Sequence, residues 1–207
     1  MQAYDWLWCP SEIDFKPNYS VYETAHGMQG HVFMSPYWVF DFALPPQTLD
    51  TRREIESFLA RTKGQAIVNV FDPRAPYPKR FIGVAGRHSP LGIIPDVRVK
   101  AMSASASTLT IVGEAGDIIS VGDPIAFTHD GYRYYFKFHD EVKLDGSEQT
   151  LSVWLQPLRS FGGENILADR IKPTCRFRVN INNTGGRTGV NRLTSFKLSG
   201  KQYSERL

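Results

Sequence analysis

The residues that could carry chemistry are scattered along this chain. The densest group of titratable side chains is His139-Asp140-Glu141, and on a strand His139 and Glu141 would share a face that Asp140 does not. We interpret this group as a solvated hairpin end. Asp72 stands between an apolar run and Pro73, where a catalytic carboxylate could lie. An Asp-Pro pair also commonly begins a turn, and we favour the turn.

The sequence lacks the common catalytic and ligand-binding motifs. It contains no nucleophile elbow, no phosphate-binding glycine loop and no zinc signature. None of its histidines lies at a helical i, i+4 spacing with a third ligand nearby: His26, His31, His88, His129 and His139. We therefore predict no catalytic, cofactor-binding or metal-binding residues, no cofactor, and a protein that is not an enzyme.

The composition is that of a folded β-rich protein. The chain has 207 residues, of which 42% are hydrophobic and 13% aromatic, enough for one large domain or two small ones. The net charge of +3 is small, and basic residues are interspersed with acids, which weakens the electrostatic case for nucleic acid. The sequence shows no apolar run of about 18 residues and no signal peptide, so we expect no membrane association. Cys9 and Cys175 are expected to be separate reduced thiols.

One helix is indicated near residues 51–63. Thr51 is placed to act as the N-cap with Glu54 three residues later, the spacing of a capping box. Ile55 and Phe58 fall on one face at helical spacing, with charged residues elsewhere. We predict a short amphipathic helix that lies against a β-rich body.

The rest of the chain reads as short strands separated by turns. From residue 91 to 160, about five alternating runs are joined by tight turns such as Asp130-Gly131, which is the rhythm of a small SH3-like or OB-like barrel. A turn is also predicted at Pro17-Asn18. The C-terminal strands are expected to complete the N-terminal sheet, since the ends of a domain usually lie close together. The fold class predicted is mainly β: a β-sandwich with one flanking short helix, formed by 1–90 together with 161–207, and an inserted small SH3/OB-like β-barrel at 91–160.

Aromatic and basic side chains mark two candidate interface regions. Trp6 and Trp8 share one face of an extended strand, where an edge of the core or a subunit interface is expected. Arg133, Tyr135 and Lys137 alternate along one strand and would form a basic and aromatic face. Such a face is the signature of a platform for single-stranded nucleic acid, but Tyr and Arg are also enriched at protein interfaces. The low net charge favours a protein partner.

A family resemblance runs through most of the chain. It rests on the following residues: Trp38, Phe42-Ala43-Leu44-Pro45-Pro46, Phe58-Leu59-Ala60, Lys63-Gly64, Phe71-Asp72-Pro73, Val121-Gly122-Asp123, the strand Tyr132 to Phe138, Val153-Trp154-Leu155-Gln156-Pro157-Leu158-Arg159, Cys175-Arg176-Phe177 and Phe196-Lys197-Leu198-Ser199. Together they resemble distal tail and baseplate-hub type proteins of long-tailed, siphovirus-like bacteriophages and prophages.

The resemblance implies a structural virion protein. Such proteins are β-sandwiches with a flanking helix that form homohexameric rings between tail tube and tail tip, and DNA passes through the lumen without specific binding. The expected partners are copies of the chain itself, the tail tube protein and the tip or baseplate-hub proteins. The expected location is the virion tail, with the host cytoplasm during assembly. Trp38, one of the residues that carry the resemblance, is therefore added to the candidate interface residues.

Two other functions stay open at this stage. One is a single-stranded nucleic-acid-binding module of OB type. The other is a receptor- or carbohydrate-binding module at the tail tip that uses Trp6, Trp8 or Trp154 as a sugar platform.

Overall fold

Antiparallel β-strands make up most of the described chain, with a single α-helix beside them. The computed structural model describes residues 12–23, 30–44, 48–62, 66–82, 90–179, 186–188 and 194–203. The predicted mainly-β class is confirmed. Identification of a sandwich and of an SH3-like or OB-like barrel stays a prediction.

The described elements follow in chain order. They are β1 (Glu12–Glu23), β2 (Gly30–Ala43), α1 (Leu49–Thr62), β3 (Ile67–Phe71), β4 (Val97–Ser103), β5 (Thr108–Gly113), β6 (Ile118–Ile119), β7 (Pro124–His129), β8 (Tyr132–Lys137), β9 (Val142–Lys143), β10 (Gln149–Ser152), β11 (Ile166–Ala168), β12 (Thr174–Val179), β13 (Gly186–Thr188) and β14 (Thr194–Gln202). A short 3-10 turn spans Lys79–Phe81.

The chain divides into two compact units. The first comprises Met1–Asn18, Tyr37–Val70 and Arg176–Tyr203, and the second comprises Tyr19–Pro36, Phe71–Cys175 and Ser204–Leu207. The predicted domain limits, 91–160 within 1–90 and 161–207, stay a prediction.

The first unit is organised by one sheet in the order β1-β2-β14-β12-β3, with β13 also beside β14. β14 runs antiparallel to β2 from the pair Lys197↔Ala43 to the pair Lys201↔Val39. β12 pairs with the other edge of β14. The C-terminal strands therefore complete a sheet begun by the N-terminal strands, as expected from the usual closeness of the two ends of a domain.

Aromatic rings fill the buried face of this sheet. Successive side chains of a strand point to opposite faces, so Phe40 and Phe42 point inward while Asp41 points outward. The ring of Phe40 meets that of Phe177 edge to face, with centroids 4.9 Å apart. Gly200 allows this packing, because a Cβ there would lie 2.4 Å from the Phe40 ring.

The helix begins earlier than predicted. The Thr48 carbonyl accepts the first helical hydrogen bond from the Arg52 N–H at 2.9 Å, so Thr48 occupies the cap position and Thr51 lies inside the helix. This start places Asp50 in the first turn, near the positive end of the helix dipole. The predicted apolar face is buried at Ile55 and Phe58.

The predicted turn at Pro17-Asn18 is wrong, because β1 continues through both residues. β1 lies at an end of the sheet order, where proline is tolerated since one row of N–H groups needs no strand partner. The Asn18 side-chain amide donates a 2.7 Å hydrogen bond to the Tyr37 hydroxyl on β2. This bond links the two strands where a turn was expected.

In the second unit, strand pairing runs in a closed circuit. One sheet has the order β10-β5-β4-β11, and β7 pairs separately with β8. Two isolated bridges connect them: Ala126↔Asp169 joins β7 to the end of β11, and Phe138↔Val153 joins the ends of β8 and β10. The circuit surrounds an apolar cluster: Val97, Val99, Met102, Leu109, Ile111, Ile119, Ile125, Phe127, Phe136, Phe138, Leu144, Leu151, Val153 and Ala168.

The turn between β7 and β8 is the one the sequence predicts. Asp130 and Gly131 have φ values of 51° and 79°. Two consecutive positive φ angles are required by the type I′ turn that matches the twist of a hairpin.

Candidate interface and buried charge clusters

Trp38 is the predicted interface tryptophan that lies within the described residues, and it is buried. Trp6 and Trp8 lie outside the described residues. Trp38 is 0% exposed, with its ring 5.4 Å from that of Phe15. Its backbone N–H donates to the side-chain oxygen of Gln202 at 3.0 Å. Trp38 is therefore a core residue of the first unit.

The predicted basic and aromatic face of β8 is covered within the second unit. Alternation correctly separates Phe136, which joins the apolar cluster, from Tyr135 and Lys137 on the other face. That other face is also buried, with Tyr135 1% and Lys137 7% exposed. The expectation of a solvent-facing platform is wrong for these residues, because the chain after β3 and the start of β12 contact them.

Arg133 is held by the start of β12 and the end of β11. Its Nε donates to the Thr174 carbonyl at 3.1 Å, and one Nη donates to the Thr174 hydroxyl at 3.1 Å. The same nitrogen lies 2.6 Å from the Asp169 carboxylate, and the Arg133 side chain is only 12% exposed. A planar guanidinium with several N–H groups suits this bridging task. The residue works as an internal clamp.

Asp72 is the centre of a buried charge cluster. Its Oδ2 accepts a hydrogen bond from Lys137 Nζ at 2.9 Å, and its Oδ1 accepts from Arg74 Nε at 3.0 Å. The Arg74 backbone N–H also donates to Oδ1 at 3.0 Å, which closes the predicted turn. Asp72 therefore both begins a turn and neutralises a buried lysine.

The charges of this cluster fix the ionisation of Asp72. Burial by itself raises the pKa of Asp72, but the hydrogen bond from Arg74 and the charge of Lys137 together lower that pKa below its ordinary value. Tyr135 lies nearby, and its pKa is raised by burial first and by the negative charge of Asp72 second. The cluster thus holds an ionised carboxylate beside a neutral phenol.

A second group of buried charges lies elsewhere in the second unit. Arg170 donates through Nη1 to the Asp117 carboxylate and to the Pro95 carbonyl. Asp123 accepts backbone hydrogen bonds from Lys79 at 2.7 Å and from Ser120 at 2.9 Å. Burial is the main cause that raises the pKa of Asp123 above its ordinary value. These contacts tie loops together around β6.

The His139-Asp140-Glu141 group has no reactive geometry. His139 and Glu141 are exposed, as a solvated hairpin end requires. Asp140 is partly buried, and its carboxylate accepts a hydrogen bond from the Ser152 backbone N–H at 2.7 Å. Asp140 therefore serves the local fold, and the other two side chains face solvent.

A long strand pair continues from the first unit into the second. β1 and β2 contain 12 and 14 residues, and the first unit ends at Asn18 on β1 and resumes at Tyr37 on β2, so Tyr19–Pro36 belong to the second unit. Within the described pairing β14 contacts β2 only from Val39 to Ala43, and the rest of β2 has β1 beside it in the sheet order. Isolated two-stranded ribbons are marginally stable in water, and a terminal strand presents unpaired backbone groups to another chain.

The solvent-facing side of the same sheet carries charges of both signs. A cavity of about 540 Å³ has its acidic side at Glu12, Asp14 and Asp41. The pKa of Asp41 is raised, chiefly by burial and then by the charge of Asp14. The cross-strand pair Lys201↔Arg178 is exposed at the opposite side, on β14 and β12. Lys16 pairs with Asp14, and Lys197 lines the same cavity, so acidic and basic groups are interspersed on this face.

The described residues include no cluster of three or more His, Cys, Asp or Glu side chains arranged to hold a metal ion. No helix in the described segments has the length and apolarity to span a membrane. The chain matches no family model, and no curated protein matches its sequence.

Proposed function

We propose that this chain is a structural virion protein that forms a homohexameric ring at the distal end of a phage tail and connects the tail tube to the tail tip or baseplate. The residues that resemble distal tail proteins support this proposal. Its partners are other copies of the chain, the tail tube protein and the tip or hub proteins. DNA passes through the lumen of the ring without specific binding, and the ring assembles in the host cytoplasm.

The observation that carries the proposal is the ribbon formed by β1 and β2. At about 3.3 Å per residue, the part of β2 before Val39 extends roughly 30 Å beyond its pairing with β14. β1 stands at one end of the sheet order, so one edge of this ribbon offers unpaired backbone groups to another chain. In a ring, a neighbouring copy of the chain contacts that edge, and each copy both gives and receives such a contact.

Light scattering of the purified protein across a wide concentration range tests the proposal. Six copies of 23.4 kDa give a particle of about 140 kDa. Tyr19 lies on β1 and is 51% exposed, so we expect Tyr19→Glu to shift the mass towards that of a single chain. The matched control is Leu158→Glu, at a 57% exposed apolar residue in the loop after β10. A wild-type protein that stays a single chain at every concentration contradicts the proposal.

A further inference from the structure

Aromatic side chains emerge from the second unit at the end of the β7–β8 hairpin. The pairs Phe127↔Tyr134 and His129↔Tyr132 place four rings on the face that also carries buried Phe136. Phe127 is fully buried, whereas Tyr134, Tyr132 and His129 are partly exposed towards the turn. The aromatic side chains of the core thus continue to the surface as a row of rings: Phe127, Tyr134, Tyr132 and His129.

Two residues from the chain after β10 extend this row of rings. Phe161 is held by two backbone hydrogen bonds with Met102, and its ring stacks on that of His129 with centroids 4.4 Å apart. The Arg159 guanidinium lies 4.0 Å from the centroid of the Tyr132 ring and donates to the Tyr132 hydroxyl at 2.8 Å. We name the residues His129, Tyr132, Tyr134, Arg159 and Phe161 the hairpin-end cluster. Its rings are fixed in place by backbone pairing and by one another.

The polar groups around the hairpin-end cluster have mixed charge. Arg159 is exposed and supplies N–H donors. Glu164 is 48% exposed and lies 3.6 Å from His129, and Asp130 is exposed at the turn. The nearby Arg133 is already paired with Asp169. The exposed rim therefore carries two carboxylates, of which Glu164 lies beside His129, and the guanidinium of Arg159, which contacts Tyr132.

The mixed charge around the hairpin-end cluster disfavours binding of a phosphate backbone and favours a neutral ligand with hydroxyl groups. Two carboxylates repel an anionic chain, whereas nucleic-acid grooves are strongly positive. Sugar hydroxyls both donate and accept hydrogen bonds, so Glu164 and Asp130 are acceptors for them and Arg159 is a donor. The C–H face of a sugar ring carries slight positive charge, which matches the negative face of an aromatic ring.

We propose that the hairpin-end cluster binds a neutral sugar unit of an oligosaccharide. The tyrosine rings provide the apolar contact, and Arg159 and Glu164 orient the hydroxyl groups. This site is distinct from Trp6, Trp8 and Trp154. It does not depend on ring assembly.

Isothermal calorimetry on the full chain tests this site with soluble oligomers of glucose, galactose and N-acetylglucosamine, and with oligothymidylate as the anionic comparison. We expect at least one neutral oligomer to bind. Tyr132→Ala and Arg159→Ala should each weaken binding about tenfold, because each removes one aromatic or cation–π contact. Circular dichroism checks that both variants remain folded, and the exposed position of Arg159 makes its variant the safer of the two.

The matched control is Tyr203→Ala. Tyr203 is also a partly exposed tyrosine beneath an arginine, with Arg178 at 4.7 Å, but it belongs to the first unit. Its replacement should leave sugar affinity unchanged. The proposal is overturned if none of the three oligomers binds, if both variants bind as well as the wild type, or if only oligothymidylate binds.

Discussion

The two units of this chain complete their strand pairing in different ways. The sheet of the first unit begins at β1, a 12-residue strand at one end of its order, and its core is dominated by rings such as Phe40 and Phe177. The second unit joins its strands in a closed circuit and buries several charged side chains: Asp72, Asp117, Asp123, Lys137 and Arg170. The contrast indicates that the closed circuit of the second unit completes its own strand pairing, whereas the sheet that ends at β1 retains an edge for another chain.

The buried charges make the second unit sensitive to single substitutions. An intact buried ion pair adds little net stability, because removing both charges from water costs nearly as much as their attraction returns. Loss of one partner is far more damaging, since the other charge stays buried without compensation. The largest expected effects therefore come from breaking these pairs.

Asp72→Ala should have the largest effect on stability. Lys137 is 9% exposed at its side chain and would lose its carboxylate partner, so we expect the free energy of unfolding to fall by about 3–5 kcal/mol. Urea unfolding measures the change. The control is the double variant Asp72→Ala with Lys137→Met, which removes both charges and should be clearly more stable than Asp72→Ala alone. Equal stability of the two variants would show that the pair does not act as argued.

Gly200→Ala should have the next largest effect, and it probes the first unit. The added Cβ would lie 2.4 Å from the Phe40 ring and 3.0 Å from the Arg178 carbonyl oxygen. Such overpacking costs typically about 1–3 kcal/mol of unfolding free energy. Gly162→Ala is the control, because its Cβ would meet only the Ala101 Cβ, at 4.0 Å. If both variants unfold at the same urea concentration, the packing at Gly200 is not as described.

Asp123→Asn should change how stability depends on pH. The pKa of Asp123 is raised on folding, so its contribution is fully present below the ordinary pKa of 3.8 and is lost as pH rises through the higher folded pKa. Asparagine does not ionise. The free energy of unfolding of the variant should therefore rise relative to that of the wild type as pH increases from acidic to neutral. The gain is about 1.4 kcal/mol for each unit by which the pKa is raised.

Asp72 should behave in the opposite sense. Its pKa is lowered on folding, so its contribution is present above the ordinary pKa and is lost as pH falls through the folded pKa. Urea unfolding of the wild type and of Asp123→Asn, measured from acidic to neutral pH, distinguishes the contribution of Asp123 to stability from that of Asp72. A constant difference between the proteins at all pH values would contradict the assignment for Asp123.

Glu56→Ala should have the smallest effect. Glu56 and Arg52 form an exposed i, i+4 pair on α1, 2.7 Å apart. Such pairs contribute about 0.3–0.5 kcal/mol, and salt screens them. Thermal unfolding at low and high salt should show a small loss that shrinks with salt. A loss as large as that of Gly200→Ala would mean that α1 depends on charge more than on its buried face.

Local features of this fold were predictable from the sequence. Alternation in β5 and β8 and the Asp130-Gly131 turn depend on neighbouring residues only, and they appear as predicted. The start of α1 was missed because Thr48 and Thr51 are both acceptable caps, and a local pattern does not choose between them. The strand through Pro17 was missed because its place at the sheet edge is a tertiary property.

The surroundings of β8 could not be predicted for a physical reason. Alternation tells which side chains share a face, but not what covers that face. Lys137 meets Asp72 across 65 positions of sequence, and Arg133 meets Thr174 across 41. Asp72 was singled out by its place after a buried strand, yet its partner was invisible without the fold. For the same reason the sequence did not reveal that the basic and aromatic face of β8 is covered. The prediction of a nucleic-acid platform depended on that face being exposed.

Electron micrographs of the purified protein test the proposed ring most directly. We predict annular particles with six-fold symmetry, an open lumen and a mass near 140 kDa, six times that of one chain. A uniform field of particles of 23.4 kDa at high protein concentration would contradict it.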